Sequence, residues 1–191
     1  MKMHLASQPA FIAWGIINIF AALWEVYAFV NRDKLKLEKI TLWEKMAKGE
    51  ITLSNFWIEG WSEYCKVDPR YLFNFSSGGY VWVFELLNVV LAFAFIIVLL
   101  ANSSVKSIST IKLILQIAII NCILYFVTLL LERIKNELDK NNVTGFARYS
   151  RYTKFTKYAR WWQYPVYFLI SGIWLIVPLY LYFLINKHNK K

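Results

Sequence analysis

Four stretches of this chain run for about 20 predominantly apolar residues each, the length an α-helix needs to cross the hydrocarbon of a bilayer. They are residues 10–30 (AFIAWGIINIFAALWEVYAFV), 79–101 (GYVWVFELLNVVLAFAFIIVLLA), 111–131 (IKLILQIAIINCILYFVTLLL) and 164–185 (YPVYFLISGIWLIVPLYLYFLI). Hydrocarbon offers no water to the backbone, so each stretch must satisfy its own N–H and C=O groups as a helix. A soluble protein seldom buries helices this long and this apolar four times over. A mean hydropathy of +0.40 and a charged fraction of 18% agree with that reading. The expected fold class is all-α: an integral membrane protein, one four-transmembrane-helix bundle forming a single domain over residues 1–191. No residue pattern requires a cofactor or a metal.

The first stretch reads as a retained span rather than a cleaved signal, because Trp24 and Glu25 stand inside it and no small-residue cleavage site follows. Cys65 lies in a connection and Cys122 mid-span, so both read as reduced and structural. The connection over residues 31–78 opens with apolar positions near helical spacing and Glu44 four residues before Lys48. This predicts a helix over 31–48 that lies on the membrane surface and ends at Gly49. The SSGG run at 76–79 breaks the chain before the second span. Further along the same connection, Trp57, Trp61, Tyr64 and Asp68 follow at helical spacing. They are expected to share one face of an interfacial helix that Pro69 terminates.

The net charge of +10 suggests nucleic acid only until its position is considered, since the bases sit beside the apolar stretches. Sixteen Lys and Arg fall in the connections 31–78 and 132–163, against six on the side of the termini and of residues 102–110. The positive-inside rule places the richer side inside, while the lysine cluster at the C-terminal end and the lack of acids beside it argue the other way. Arg148, Arg151, Lys154, Lys157 and Arg160 alternate with aromatics over 145–164. One reading is an aromatic belt with snorkelling bases; the other is a site for anionic lipid head groups such as cardiolipin or phosphoinositides.

Ionisable groups at bilayer depth are expensive, so Glu25 and Glu85 are expected to face the protein interior and to mark a functional pocket. Glu25 stands near the end of its span, where partial hydration is an alternative. Asn88, Gln116, Asn121, Thr128 and Ser171 either join that pocket or make ordinary interhelical hydrogen bonds.

One segment carries a resemblance. IEGWSEYCKVDPRY is similar to the loop of the emopamil-binding protein family, the sterol Δ8–Δ7 isomerases, with its W-x-E-Y-x-K-x-D-x-R-Y pattern. Trp61, Glu63, Tyr64, Lys66, Asp68, Arg70 and Tyr71 match that pattern. LILQ at 113–116 and LYFVT at 124–128 resemble the family's next span, and Trp174, Leu175 and Pro178 match its last. The wider group, the EXPERA fold, includes the sigma-two receptor, which binds sterols and cationic amphiphiles. The family's isomerases usually carry an additional N-terminal span, which is not seen here.

The resemblance implies a sterol double-bond shift through a carbocation that carboxylates stabilise in a dry cavity. It assigns Glu25, Asp68 and Glu85 as the catalytic acids, Trp174 as pocket lining, and the endoplasmic reticulum as the membrane. The departures are specific. Where isomerases place a His one turn before the first-span Glu, this chain has Ala21; Ser171 replaces an Asn, and both histidines, His4 and His188, are near the termini. Three functions are therefore expected: a sterol- or lipid-binding protein without catalysis, a working isomerase, or an accessory subunit of a larger membrane complex such as a mitochondrial inner-membrane respiratory complex. The expected partners are membrane lipids, with a homodimer or a host complex as the assembly and no nucleic acid.

Overall fold

The computed structural model describes residues 8–72, 80–101, 105–141 and 158–189. Among these the chain is helical, with no strand: α1 (Pro9–Val30), α2 (Leu42–Ala47), α3 (Leu53–Cys65), α4 (Val81–Leu100), α5 (Val105–Asn141) and α6 (Gln163–Asn189). Short 3-10 turns stand at Arg32–Lys34 and Pro69–Leu72. Four helices are long and apolar enough to cross a membrane: α1, α4, the Ile108–Glu132 part of α5 and the Gln163–Lys187 part of α6. They coincide with the four apolar stretches of the sequence. Only 22% to 33% of each apolar window is buried within the chain, so most of their apolar surface faces outward.

Local chemistry sets the helix ends. Pro9 stands in the first turn of α1, where its missing N–H costs nothing, and the Gln8 carbonyl accepts from Phe11 and Ile12. Asn31 closes that helix, both its backbone and its side-chain N–H donating to the Tyr27 carbonyl. Thr41 and Glu44 form a reciprocal capping box at the start of α2. Gly49, at φ 72°, closes its other end in the left-handed conformation that favours glycine.

The surface helix expected over 31–48 is confined to Leu42–Ala47. The preceding residues instead bond outward to α3: the Lys36 N–H donates to Ser62 Oγ at 3.2 Å, and the Leu42 N–H to Glu63 Oε2 at 3.2 Å. Glu44 caps Thr41 and pairs with Arg160 at 2.8 Å rather than with Lys48. The helix carrying Trp57, Trp61 and Tyr64 ends at Cys65, three residues short of Asp68, so Asp68 does not continue its face. The SSGG run and the basic residues Arg148, Arg151, Lys154 and Lys157 lie outside the described residues.

The chain divides into two compact units: Met1–Val26, Val83–Leu124 and Ile170–Lys191 form one, Tyr27–Trp82 and Tyr125–Leu169 the other. The first unit packs Phe11 and Trp14 of α1, Leu91, Phe95 and Leu99 of α4, Ile111 and Leu115 of α5, and Leu181 and Ile185 of α6 into one apolar core. Phe11 stacks on Phe95, and Trp14 lies 4.9 Å from Trp174 between ring centroids. The second unit is built on aromatics and ion pairs. Trp61, Tyr64, Tyr71, Trp82 and Tyr167 form a cluster of ring contacts, and Trp82 Nε1 donates to the Tyr71 carbonyl. Lys45 bridges Glu38 and Glu59, while Lys66 joins Glu63 to the Ile40 carbonyl.

Gly15 marks a close approach of α1 and α4, since a Cβ there would stand 2.6 Å from Ile96 Cδ1. Only the mobile end of Ile96 has to turn away, and alanine gains helix propensity. Gly15→Ala should therefore stay within about 1 kcal/mol of wild type, whereas Gly15→Phe should cost about 1–3 kcal/mol by overpacking. Unfolding titrations in detergent measure both.

Candidate functional site

Glu25 of α1 and Glu85 of α4 form the polar centre of the first unit, each only 7% exposed. The two carboxyls stand close enough to feel each other's charge. Glu85 Oε2 accepts from Asn88 Nδ2 at 3.3 Å, and Asn88 Oδ1 accepts from Asn121 Nδ2 at 2.7 Å. Asn121 Nδ2 also donates to the Phe84 carbonyl at 3.0 Å. Three helices thus supply one chain of polar groups, from α5 through α4 to α1. It ends on Glu25 Oε2, which is buried and has no hydrogen-bond partner.

Beside Asn88 lies a cleft of about 30 Å³, lined among others by Trp14, Asn18, Ile114, Ala118, Trp174 and Pro178. Pro178 is inside α6 and has no N–H, so the Trp174 carbonyl four residues earlier loses its helical partner. Sites for drug-sized ligands occupy roughly 300–1,000 Å³, whereas a water molecule needs only about 10–15 Å³. As it stands, the cleft fits water.

Asp68, assigned by the loop pattern as a third catalytic acid, is engaged in a different kind of site in the second unit. It is fully buried and precedes the 3-10 turn Pro69–Leu72, whose tight geometry folds Arg70 back onto it. Asp68 Oδ1 accepts from the Arg70 backbone N–H and from Nε at 2.8 Å, and Oδ2 accepts from Arg70 Nη2 at 2.7 Å. Tyr125 and Tyr167 donate their hydroxyls to the same Oδ2 at 2.8 and 3.1 Å, and also touch each other. Arg70 Nη1 donates to Thr128 Oγ1 at 2.9 Å, with the guanidinium 4.8 Å from the centre of the Tyr125 ring. Burial alone would push the Asp68 carboxyl up, but Arg70 and the Tyr125 hydroxyl hold it below the usual carboxylate range. Burial and the charge of Asp68 together push the neighbouring Cys65 thiol up, so Cys65 is not an activated nucleophile. With its lone pairs committed, Asp68 is a structural anion.

The other expected positions sort accordingly. Asn88 and Asn121 join the carboxyl pair. Ser171 is buried and its carbonyl accepts from Cys122 Sγ at 4.0 Å. Trp174 lines the cleft, Thr128 serves Arg70, and Gln116 bonds Tyr182. Trp61 and Tyr64 belong to the aromatic cluster, while Trp57 is 39% exposed and packs against Phe56. Of the basic stretch, Arg160 is described, and it pairs with Glu44. Sequence reasoning missed Asn18, Tyr125 and Tyr167. The signal was there: an amide or phenol inside an apolar stretch needs a partner once buried.

No protein-family profile, curated protein or solved structure matches the chain.

Removing Arg70 leaves Asp68 buried without its counter-charge. Arg70→Met should cost about 3–5 kcal/mol at neutral pH, read from unfolding midpoints. Because the folded Asp68 value is depressed, the ion pair contributes fully above the ordinary carboxylate value of about 4 and loses its contribution as pH falls through the folded value. Acidification should therefore weaken the wild type and narrow its gap to Arg70→Met.

Proposed function

We propose that the chain is a multi-pass membrane protein that binds an amphiphile, sterol- or lipid-like with a basic or hydroxyl head, at the Glu25–Glu85 pair, and that it does not catalyse a sterol double-bond shift. The observation that carries this reading is the buried carboxyl pair with one oxygen, Glu25 Oε2, lacking any donor. An acceptor left unsatisfied in an apolar interior costs roughly 1–3 kcal/mol, and a ligand head group that donates to it recovers that cost. The resemblance to the emopamil-binding protein family, in its EXPERA fold, supports the same assignment, with the endoplasmic reticulum as the membrane it implies. Two features count against isomerase chemistry. Ala21 stands where the family's proton-transferring His would be, and Asp68 is tied up by Arg70, Tyr125 and Tyr167. The outward-facing apolar surface of the four long helices supports their insertion in a bilayer.

A second reading is favoured by the size of the cleft. At about 30 Å³ it admits no sterol without parting α1, α4, α5 and α6 around it. A chain that keeps the cleft closed serves as an accessory subunit of a larger membrane complex. Native mass analysis after mild extraction separates the two: a monomer or homodimer fits the binder, a stable large assembly the subunit.

Equilibrium binding of a sterol-like amine to the reconstituted protein tests the first reading. Glu25→Gln should weaken binding by about 2–5 kcal/mol, the range for removing one partner of a buried charged hydrogen bond, while Phe20→Ala, on an exposed part of α1, should leave it unchanged. Incubation with a Δ8 sterol should yield no Δ7 product. Equal binding by wild type and Glu25→Gln overturns the assignment of the site, and turnover overturns the absence of catalysis.

A further inference from the structure

The cleft of the first unit concentrates polar groups that the protein leaves without partners. Asn18 makes no side-chain hydrogen bond to another described residue, although it stands in the middle of α1 and lines the cleft. Asn88 gives one amide hydrogen to Glu85 and keeps a second. The Trp174 carbonyl has lost its helical donor to Pro178, and both residues line the same cleft. A buried water is stable where it finds about two to four polar partners and roughly 10–15 Å³ of room. The cleft is lined by two amide-bearing residues, Asn18 and Asn88, and by Trp174, with room on that scale for about two waters.

The same groups stand in register with the carboxyl pair. On α1, Trp14, Asn18, Ala21 and Glu25 recur at helical spacing and share one face, so Asn18 lies two turns, about 10 Å, from Glu25. The residue between them on that face is Ala21, whose side chain is a single methyl group. On α4, Asn88 follows Glu85 by one turn and bonds it directly. At the end of this register is Glu25 Oε2, nine-tenths buried and without a donor.

We propose that this cleft is a water site and that its water exchanges protons with the Glu25–Glu85 pair. In each exchange a water O–H proton passes to a carboxylate oxygen while a carboxyl proton leaves to water, so charge and atoms balance. The described titratable neighbours of the pair are the two carboxyls themselves and Cys122, which lies within electrostatic range of Glu85. The exchange does not depend on whether the pair also seats a ligand head group. It gives the chain an acid pair inside apolar helices that is loaded and unloaded through one hydrated slot.

Infrared difference spectroscopy of the reconstituted protein on transfer to D2O tests this. The carboxylic C=O band is assigned by its loss in Glu25→Gln and Glu85→Gln. In wild type the band should shift promptly on exchange. Asn18→Leu, which removes the amide, and Ala118→Leu, which fills the cleft, should each slow that shift by about tenfold, as expected when a hydrogen-bonded step is taken out of a relay. Phe20→Ala should exchange at the wild-type rate. The proposal is overturned if Asn18→Leu and Ala118→Leu both exchange as fast as wild type, if the wild-type band does not exchange, or if neither Glu variant removes a carboxylic band. Should Ala118→Leu fail to fold, Asn18→Leu decides the outcome alone, since Asn18 is only half-buried.

Discussion

A carboxyl group buried among apolar helices has no water to stabilise its charge, and each acid in this chain must be satisfied by the protein or stay unsatisfied at a cost. The chain meets that constraint in two opposite ways. Asp68 receives two guanidinium bonds, a backbone N–H and two tyrosine hydroxyls, which is close to everything a carboxylate can accept. Those donors come from the connection after α3, from α5 and from α6, so one anion organises the second unit. Glu25 and Glu85 receive far less. Asn88 donates to Glu85 and accepts from Asn121, while Glu25 Oε2 remains without a donor among the described residues.

That contrast separates scaffold from site. A fully satisfied buried network rigidifies its surroundings and has nothing left to offer a substrate. An unsatisfied one stores a preference for whatever can complete it. The satisfied acid lies in the connection after α3, and the acid pair lies in the long helices. Family-like chemistry would need Asp68 free and a proton-transferring partner beside Glu25. Arg70 bonds Asp68, and residue 21, one turn before Glu25, is an alanine.

Much of the fold was legible because it follows from one rule, that long apolar segments must be helical, and all four such segments form helices within a few residues of their expected ends. That Glu25 and Glu85 would be buried was expected from their isolation in apolar surroundings, and both are 7% exposed; which of the polar residues in the long helices would stand beside them was left open between a pocket and ordinary interhelical bonds. What the residues did not reveal was partnership at a distance. Asp68 sits 57 residues from Tyr125 and 99 from Tyr167, and no local pattern encodes those contacts. Helical spacing over 31–48 and 57–68 predicted longer helices than form, because hydrogen bonds from Lys36 and Leu42 to α3 and the turn at Pro69 outweigh the periodic preference. Asn18 carried no motif at all and becomes visible only through the cleft that it lines.

The central claim, that the carboxyl pair and not the loop acid is the place where a ligand is held, is most directly tested by photocrosslinking with a diazirine-bearing sterol amine, followed by peptide mapping. The account predicts label on α1 and α4 around Glu25 and Glu85, lost when unlabelled amine competes. Label confined to the connection around Asp68, or spread evenly over the outward faces of the long helices without competition, would contradict it.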